Sequence, residues 1–431
     1  MNVNKVKPNG LALLPIIVFL ILFIGIGVVQ KDFYSMPAVI GFLIALAVAF
    51  LQTRGISFNE KISIIAKGVG DDNIITMCLI FLVAGAFSGS VSAAGGVNST
   101  VNLGLSLLPP GIAVIGLFII GCFISISMGT SMGTIAALAP IAMGISEKTD
   151  FPIAICIGAV VSGAMFGDNL SMISDTTIAA VRTQGCDMRD KFRKNFLIVL
   201  PAAIATIVIL FFMTSGAHFT VSKDLDYNIF QVIPYILVLV TALIGLNVFI
   251  VLIGGIAFSV IAGLATGAMK VSQIFTSMGK GATGMYDITV ISILVACISA
   301  LVKYNGGFAF ILENIHKHIH SYKGAEFGVA ALVGLIDCAT ANNTVAIVIA
   351  GPIAKEISDD YGIEPARTAS LLDMFASVFQ GIIPYGAQLL SAASLTGLSS
   401  FDIMPYLFYP YLMAVCGIVS IIISEKKLGK A

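Results

Sequence analysis

Charged residues and tryptophan are scarce in this chain of 431 residues. Only 11% of its residues are Asp, Glu, Lys or Arg, whereas a soluble domain contains about a quarter. Because 58% of the residues are hydrophobic and the mean hydropathy is +1.02, the sequence predicts a polytopic membrane protein without a separate soluble domain. Tryptophan is absent, which leaves tyrosine for the membrane interfaces. The net charge of zero argues against a nucleic-acid or acidic partner.

Motifs for zinc, disulfides and catalysis are also missing. The seven cysteines are spread without a CxxC pair. His316, His318 and His320 are spaced by two residues, which on a helix does not direct three rings at one metal ion, and we interpret them as a solvated interface. Residues 68–71 and 286–287 match short signatures of intramembrane aspartyl proteases, but in reversed order and at helix entrances. We therefore expect no enzyme.

Long apolar runs dominate the chain instead. Eight of them are long enough to span a membrane as helices, and they cover residues 11–29, 36–51, 74–94, 196–214, 229–244, 247–267, 287–303 and 403–424. Four further apolar segments contain polar residues near their middle. The first run is too long for a signal-peptide core and lacks a clear cleavage site, so we interpret it as the first spanning helix.

The two halves of the chain resemble each other at a constant offset. Residues 129–134 match 341–346, and Pro140 matches Pro352. The predicted organisation is a first repeat at 1–214 with a hairpin at 111–147 and a broken helix at 152–181, a linker at 215–228, and a second repeat at 229–431 with a hairpin at 325–357 and a broken helix at 365–395. A duplication with interrupted segments at matching places indicates a secondary transporter.

Loop charges predict that the repeats have opposite orientations. Five basic residues lie between positions 182 and 194, which places that loop in the cytoplasm under the positive-inside rule. The corresponding loop, 396–402, contains no Lys or Arg. Five crossings and one re-entrant hairpin per half produce this inversion. The predicted fold is an all-α polytopic membrane protein with about ten transmembrane helices, two re-entrant hairpins and both termini on the cytoplasmic side of the inner membrane.

A polar stretch at 166–177 follows an apolar run and contains the strongest site candidates. A carboxylate at membrane depth costs roughly 2.5–3.5 kcal/mol on insertion scales, so Asp168 and Asp175 require protein, water or an ion beside them. Paired carboxylates in a low dielectric can bind either a cation or a proton. The predicted cation and proton ligands are Asp168, Asn169, Ser171, Ser174, Asp175 and Thr176. The alternative for Asp175 is a helix cap.

The tips of the two hairpins carry short oxygen-bearing side chains among glycine and alanine. These candidates are Thr130, Ser131, Thr134, Asn342, Asn343 and Thr344. Hydroxyl, amide and carbonyl oxygens suit a hard cation, and we expect sodium at Ser131, Asn343 and Thr344. Helix packing is the alternative, because small polar residues are common at contacts between membrane helices.

Secondary candidates lie in the second half. Asp337 and Asp373 are acids within apolar runs, and Tyr385 and Gln388 could hydrogen-bond an organic substrate. The second broken helix has no acid at its break, so the halves are not chemically equivalent. Arg367 is expected to extend its head group to the membrane interface.

At residues 129–134 and 167–177 the chain resembles the NhaC-type sodium/proton antiporter family, which is related in pattern to divalent-anion/sodium symporters. The resemblance implies sodium and protons as coupling ions, no cofactor, and an elevator mechanism in a homodimer within the lipid bilayer. It departs from the family pattern at Asn169, where Lys is common, and at Met172, where Pro is common. Sodium/proton antiport is the preferred function. A sodium-coupled transporter of an amino acid or small carboxylic acid is the alternative, and a channel is a third, weaker class.

Overall fold

The computed structural model describes residues 7–30, 36–107, 110–149, 151–172, 174–215, 225–244 and 246–424. Every regular element in these ranges is helical. Apart from short 3₁₀ turns, the elements are α1 (Leu14–Gln30), α2 (Ala38–Gln52), α3 (Phe58–Val69), α4 (Asp72–Ala93), α5 (Gly96–Leu107), α6 (Pro110–Met128), α7 (Ser131–Thr149), α8 (Ile153–Leu170), α9 (Asp175–Gln184), α10 (Met188–Ser215), α11 (Ile229–Leu243), α12 (Val248–Ala265), α13 (Ile274–Gly284), α14 (Tyr286–Tyr304), α15 (Gly307–Lys317), α16 (Tyr322–Thr340), α17 (Asn343–Tyr361), α18 (Pro365–Ile382), α19 (Ala387–Thr396), α20 (Ser400–Ile403) and α21 (Phe408–Ile422).

Several helical stretches are long and apolar enough to cross a membrane. Among the described residues there are four of them, Ile74–Ala93, Ile153–Gln184, Met188–Thr214 and Val271–Tyr304, and a pair bent by 57° at residue 407 would be a fifth. They differ in burial, since 94% of the window in Ile153–Gln184 is inside the protein but only 28% of that in Met188–Thr214. The stretch Ile153–Gln184, which contains α8 and α9, is therefore surrounded by other helices, whereas α10 has an outer face.

Four pairs of helices recur with the same spacing. One constant offset separates the first residues of α6, α7, α8 and α9 from those of α16, α17, α18 and α19, respectively. The same offset separates residues 129–134 from 341–346. The paired helices also have equal lengths, which are 19, 19, 18 and 10 residues in this order. Helix α6 packs against α7 and α8, and α16 packs against α17 and α18. The offset read from the sequence therefore coincides with matched helices in the structure.

The basic segment after residue 181 is shorter as a loop than we predicted. Gly185 ends α9 in a left-handed conformation (φ +68°), and α10 already begins at Met188. The side chain of Asp187 accepts a hydrogen bond from the backbone N–H of Arg189 (2.7 Å) and so helps to start α10. Four of the five basic residues between 182 and 194 therefore lie in or near the first turns of α10, and Lys191 is buried.

Helices α3 and α13 were not predicted, because each is short and carries polar residues. Helix α13 packs closely on α4, where a side chain on Gly85 would stand 2.3 Å from the carbonyl oxygen of Gly281. The predicted linker 215–228 and the two termini fall largely outside the described residues.

Candidate functional site

Two helix breaks and two hairpin turns meet in the middle of the protein. Helix α8 ends at Leu170, where Ser171 is extended (ψ 134°), and α18 ends at Ile382, where Ile383 is extended (ψ 128°). Pro384 accounts for the second break, because proline disfavours a helical conformation in the residue before it. In the first break, Ser174 caps α9 by accepting a hydrogen bond from the backbone N–H of Thr177 (3.3 Å).

The hairpin turns have a left-handed residue at corresponding positions of the two repeats. Gly129 has φ +68° in the first turn, and Ala341 has φ +47° in the second. Among the described residues Ala341 is the only non-glycine residue with positive φ, a conformation that is unfavourable for a side chain. Its carbonyl oxygen accepts a hydrogen bond from Gln380 Nε2 (3.2 Å). Strain of this kind is often found at functional sites.

A chain of hydrogen bonds joins the two halves at Asp168. Ser131 Oγ donates to Asp168 Oδ2 (2.8 Å), and Gln388 Nε2 donates to Ser131 Oγ (3.0 Å). Gln380 Nε2 in turn donates to Gln388 Oε1 (2.7 Å). Asp168 is only 5% exposed. Ser131 is therefore the residue that connects the carboxylate of Asp168 to the two glutamines of the second half.

A cavity of about 80 Å³ lies between the hairpin turns and the breaks. It contains room for an ion with a few water molecules. Its lining combines nine predicted residues, Thr130, Ser131, Asp168, Asp175, Thr176, Asn342, Asn343, Thr344 and Gln388, with others that include Thr76 and Gln380. Asp175 is exposed, unlike Asp168. The cavity therefore brings together oxygen-bearing groups from both halves, with one carboxylate deep inside and another at its edge.

Four predicted ligands do not line the cavity. The hydroxyls of Thr134 and Ser171 donate to backbone carbonyls at 2.9 and 2.7 Å. Ser174 caps α9, and Asn169 Oδ1 accepts a hydrogen bond from Asn195 Nδ2 (2.7 Å). These side chains hold the segments around the cavity in place.

Behind the first break lies a buried ion pair between Lys191 and Asp373. Lys191 Nζ also donates to the carbonyl oxygen of Asn169 (2.8 Å) and to Thr177 Oγ1 (2.9 Å). Thr177 Oγ1 donates to Asp373 Oδ2 (3.0 Å). Asp373 is thus bound by a lysine from α10 and does not line the cavity.

Asp337 and Tyr385 also lie away from the cavity lining. Both carboxylate oxygens of Asp337 are buried without a hydrogen-bond partner in the described part of the chain. Tyr385 donates its hydroxyl to the carbonyl oxygen of Cys338 (2.7 Å), and its ring packs against Phe19 (5.3 Å between centroids). The hydroxyl of Tyr385 is therefore engaged with backbone near the second hairpin.

Our expectation for Arg367 was wrong. Its Nε donates to Glu326 Oε1 (2.7 Å), and its Nη2 donates to Glu326 Oε2 (3.2 Å) and Ser420 Oγ (3.1 Å). Glu326 is fully buried. The guanidinium is directed inwards because it neutralises this carboxylate, and the pair joins α16, α18 and α21.

Two members of the site were missed, although the repeat could have identified one of them. Gln380 occupies the position in the second repeat that Asp168 occupies in the first, and Gln388 corresponds in the same way to Thr176. We predicted Gln388 but not Gln380. Lys191 was missed because its basic neighbours suggested a solvated loop.

Comparison with known proteins shows one family along nearly the whole chain. The model of the Na+/H+ antiporter family matches residues 9–215 and 227–424. The Na+/H+ antiporter NhaC of Bacillus subtilis is 23% identical, over 87% of this chain and 90% of that protein. The malate-2H+/Na+-lactate antiporter of the same organism is 23% identical, over 93% and 92%.

Two further similar proteins are an arginine/ornithine antiporter and a transporter of known structure. The arginine/ornithine antiporter ArcD of Halobacterium salinarum is 23% identical, over 95% of this chain and 91% of that protein. Among solved structures, the YdaH transporter of Alcanivorax borkumensis is similar over 81% of this chain and 86% of that chain, at 14% identity and a TM-score of 0.41.

Proposed function

This chain belongs to the Na+/H+ antiporter family, and from that membership we propose that it exchanges sodium for protons through the cavity at Asp168. The family makes the protein a multi-pass membrane secondary transporter of the NhaC type and not an enzyme. The observation that carries the proposal is the buried Asp168, which faces oxygen-bearing groups of both halves across the cavity. In this proposal sodium and the proton compete for the same site.

In the proposed mechanism Asp168 binds either sodium or a proton. Sodium would be held by the carboxylate together with Ser131, Asn343 and Thr344, which all line the cavity. Oxygen ligands of this kind suit a hard cation. Protonation removes the charge that attracts sodium, so the two cations exclude each other. Asp175, exposed at the edge of the cavity, would attract cations from the open side.

The architecture we propose for this exchange has ten membrane crossings and two re-entrant hairpins, arranged as inverted repeats. The equal lengths of the four helix pairs support it, as does the burial of Ile153–Gln184. An elevator movement of the hairpins and broken helices against the remaining helices, in a homodimer, would expose the cavity on alternate sides. Both termini would be cytoplasmic.

Proteoliposomes test the exchange directly. The lumen is acidified, sodium is added outside, and luminal pH is followed with a trapped dye. We expect sodium-driven alkalinisation by the wild type and its loss in Asp168→Asn. Asp190→Asn, an acid-to-amide change at an exposed position on α10, is the matched control and should retain exchange. Wild-type exchange by Asp168→Asn would remove this carboxylate from the site.

A second candidate is sodium-coupled transport of a small carboxylic acid or an amino acid. Helices α7, α9, α17 and α19 all line the cavity with their first residues. Helix N-termini stabilise anionic groups, and in broken-helix transporters they commonly face a substrate carboxylate. The relatives named for malate and lactate and for arginine and ornithine support the same class.

The same vesicles separate the two candidates. If the second applies, external sodium alone leaves luminal pH unchanged, and uptake of radiolabelled malate, lactate or arginine depends on sodium. Sodium-driven alkalinisation without any organic acid or amino acid decides for antiport.

A further inference from the structure

Lys191 is the buried lysine of the described chain, with a side chain that is only 1% exposed. Lysine head groups usually extend to water, but this one binds three oxygen atoms from three different segments. They are the carbonyl oxygen of Asn169, the hydroxyl of Thr177 and the carboxylate of Asp373. The ammonium is therefore held in the interior, beside the break between α8 and α9.

These three groups are the kinds of ligand that hard metal cations take in proteins, namely a carbonyl, a hydroxyl and a carboxylate. The carbonyl of Asn169 belongs to the last turn of α8, where the break leaves carbonyl groups without helical partners. In addition, Asp373 Oδ1 is buried and has no hydrogen-bond partner among the described residues. The ammonium thus occupies a position that could coordinate a free cation.

This arrangement occurs once and has no counterpart at the positions related by the repeat. In the second repeat, Gly381, Leu389 and Ile403 stand at the positions of Asn169, Thr177 and Lys191, respectively. In the first repeat, Val161 stands at the position of Asp373. Neither lysine nor acid is repeated, so the pair is not a packing feature that the repeated pattern requires.

We propose that Lys191 is a tethered cation that fills a second cation site, so that only the Asp168 cavity receives a mobile cation. The inference rests on the proposed function, since it counts the ions that this carrier can bind. Lys191 and Asp373 together are neutral, and the charge that changes on loading then belongs to the cavity. One sodium ion per chain should bind.

The test counts sodium ions bound per purified chain, with radioactive sodium. Wild type should bind one ion, Lys191→Ala two, and Asp168→Asn none. Lys191→Ala combined with Asp168→Asn should bind one ion, at the opened site. Lys191→Ala combined with Asp373→Asn should bind one, because the opened site has lost its carboxylate. Lys194→Ala is the matched control from the same turn of α10, since Lys194 forms an exposed pair with Glu364, and it should bind one.

Failure of this inference and failure of the proposed function give different results. If wild type binds one ion and Lys191→Ala also binds one, the tethered-cation role is overturned while the function stands. If wild type binds none, the proposed function fails. Lys191 is then still tested by comparing Asp168→Asn with the double variant that also carries Lys191→Ala. Lys191→Ala should fold better in sodium than in choline. If it and Lys191→Gln fail to fold in both salts, sodium cannot replace the ammonium and the inference is wrong.

Discussion

Ser131 offers a sharp test of the cavity, because its hydroxyl connects Asp168 to Gln388. Ser131→Ala removes the donor to the carboxylate (2.8 Å) and the acceptor for the amide (3.0 Å). A hydrogen bond to a charged group is worth about 1.5–3 kcal/mol, and each 1.4 kcal/mol is about tenfold in affinity. If this loss falls on the sodium-bound state, half-maximal exchange should need roughly 10- to 100-fold more sodium.

The measurement is the sodium concentration for half-maximal alkalinisation of proteoliposomes at fixed pH. Ser162→Ala is the matched control, because this serine of α8 is fully buried and its hydroxyl has no hydrogen-bond partner among the described residues. It should need the same sodium concentration as wild type. Unchanged sodium dependence in Ser131→Ala, or an equal change in both variants, would refute the assignment of Ser131 to the ion site.

Two further predictions concern the scaffold, and both are measured as melting temperatures of the detergent-solubilised protein. Gly163→Ala should destabilise by about 1–3 kcal/mol, because the new methyl group would stand 2.3 Å from the carbonyl oxygen of Phe118; Gly116→Ala, with open space around it, should not. Arg367→Ala should destabilise by about 3–5 kcal/mol, since it leaves the buried Glu326 unpaired. Adding Glu326→Gln to Arg367→Ala should restore much of the lost stability, and no restoration would contradict the ion-pair explanation. A Gly163→Ala variant as stable as wild type would contradict the close-packing explanation.

The interrupted segments were predictable because two signals coincide in them. Polar residues within apolar runs and the constant offset between the repeats located α6 to α9 and α16 to α19 to within a few residues. The resemblance at residues 129–134 and 167–177 predicted the family, and the family comparison confirms it. Inverted topology, dimerisation and the ion ligands stay predictions.

The charged interior was less predictable, because a charge pattern along the chain does not reveal which side chain finds a partner. Lys191 lies among basic neighbours in the sequence, but it is buried because it pairs with Asp373. That partner is 182 residues away, so the local sequence does not reveal it. Arg367 was assigned to the interface because it lies near the start of its helix, and its partner Glu326 is 41 residues away. Gln380 was not predicted either, although it corresponds to Asp168 in the repeat.

The hydrogen-bond chain from Asp168 crosses between the halves once, from Ser131 in the first to Gln388 in the second, and continues to Gln380. Neither half alone contains the complete lining of the cavity. A protein severed in the segment between α10 and α11 would regain its pocket only after both fragments had been produced together and had reassembled. Because both halves contribute to the pocket, we expect two fragments that are inactive alone to complement each other when they are produced together.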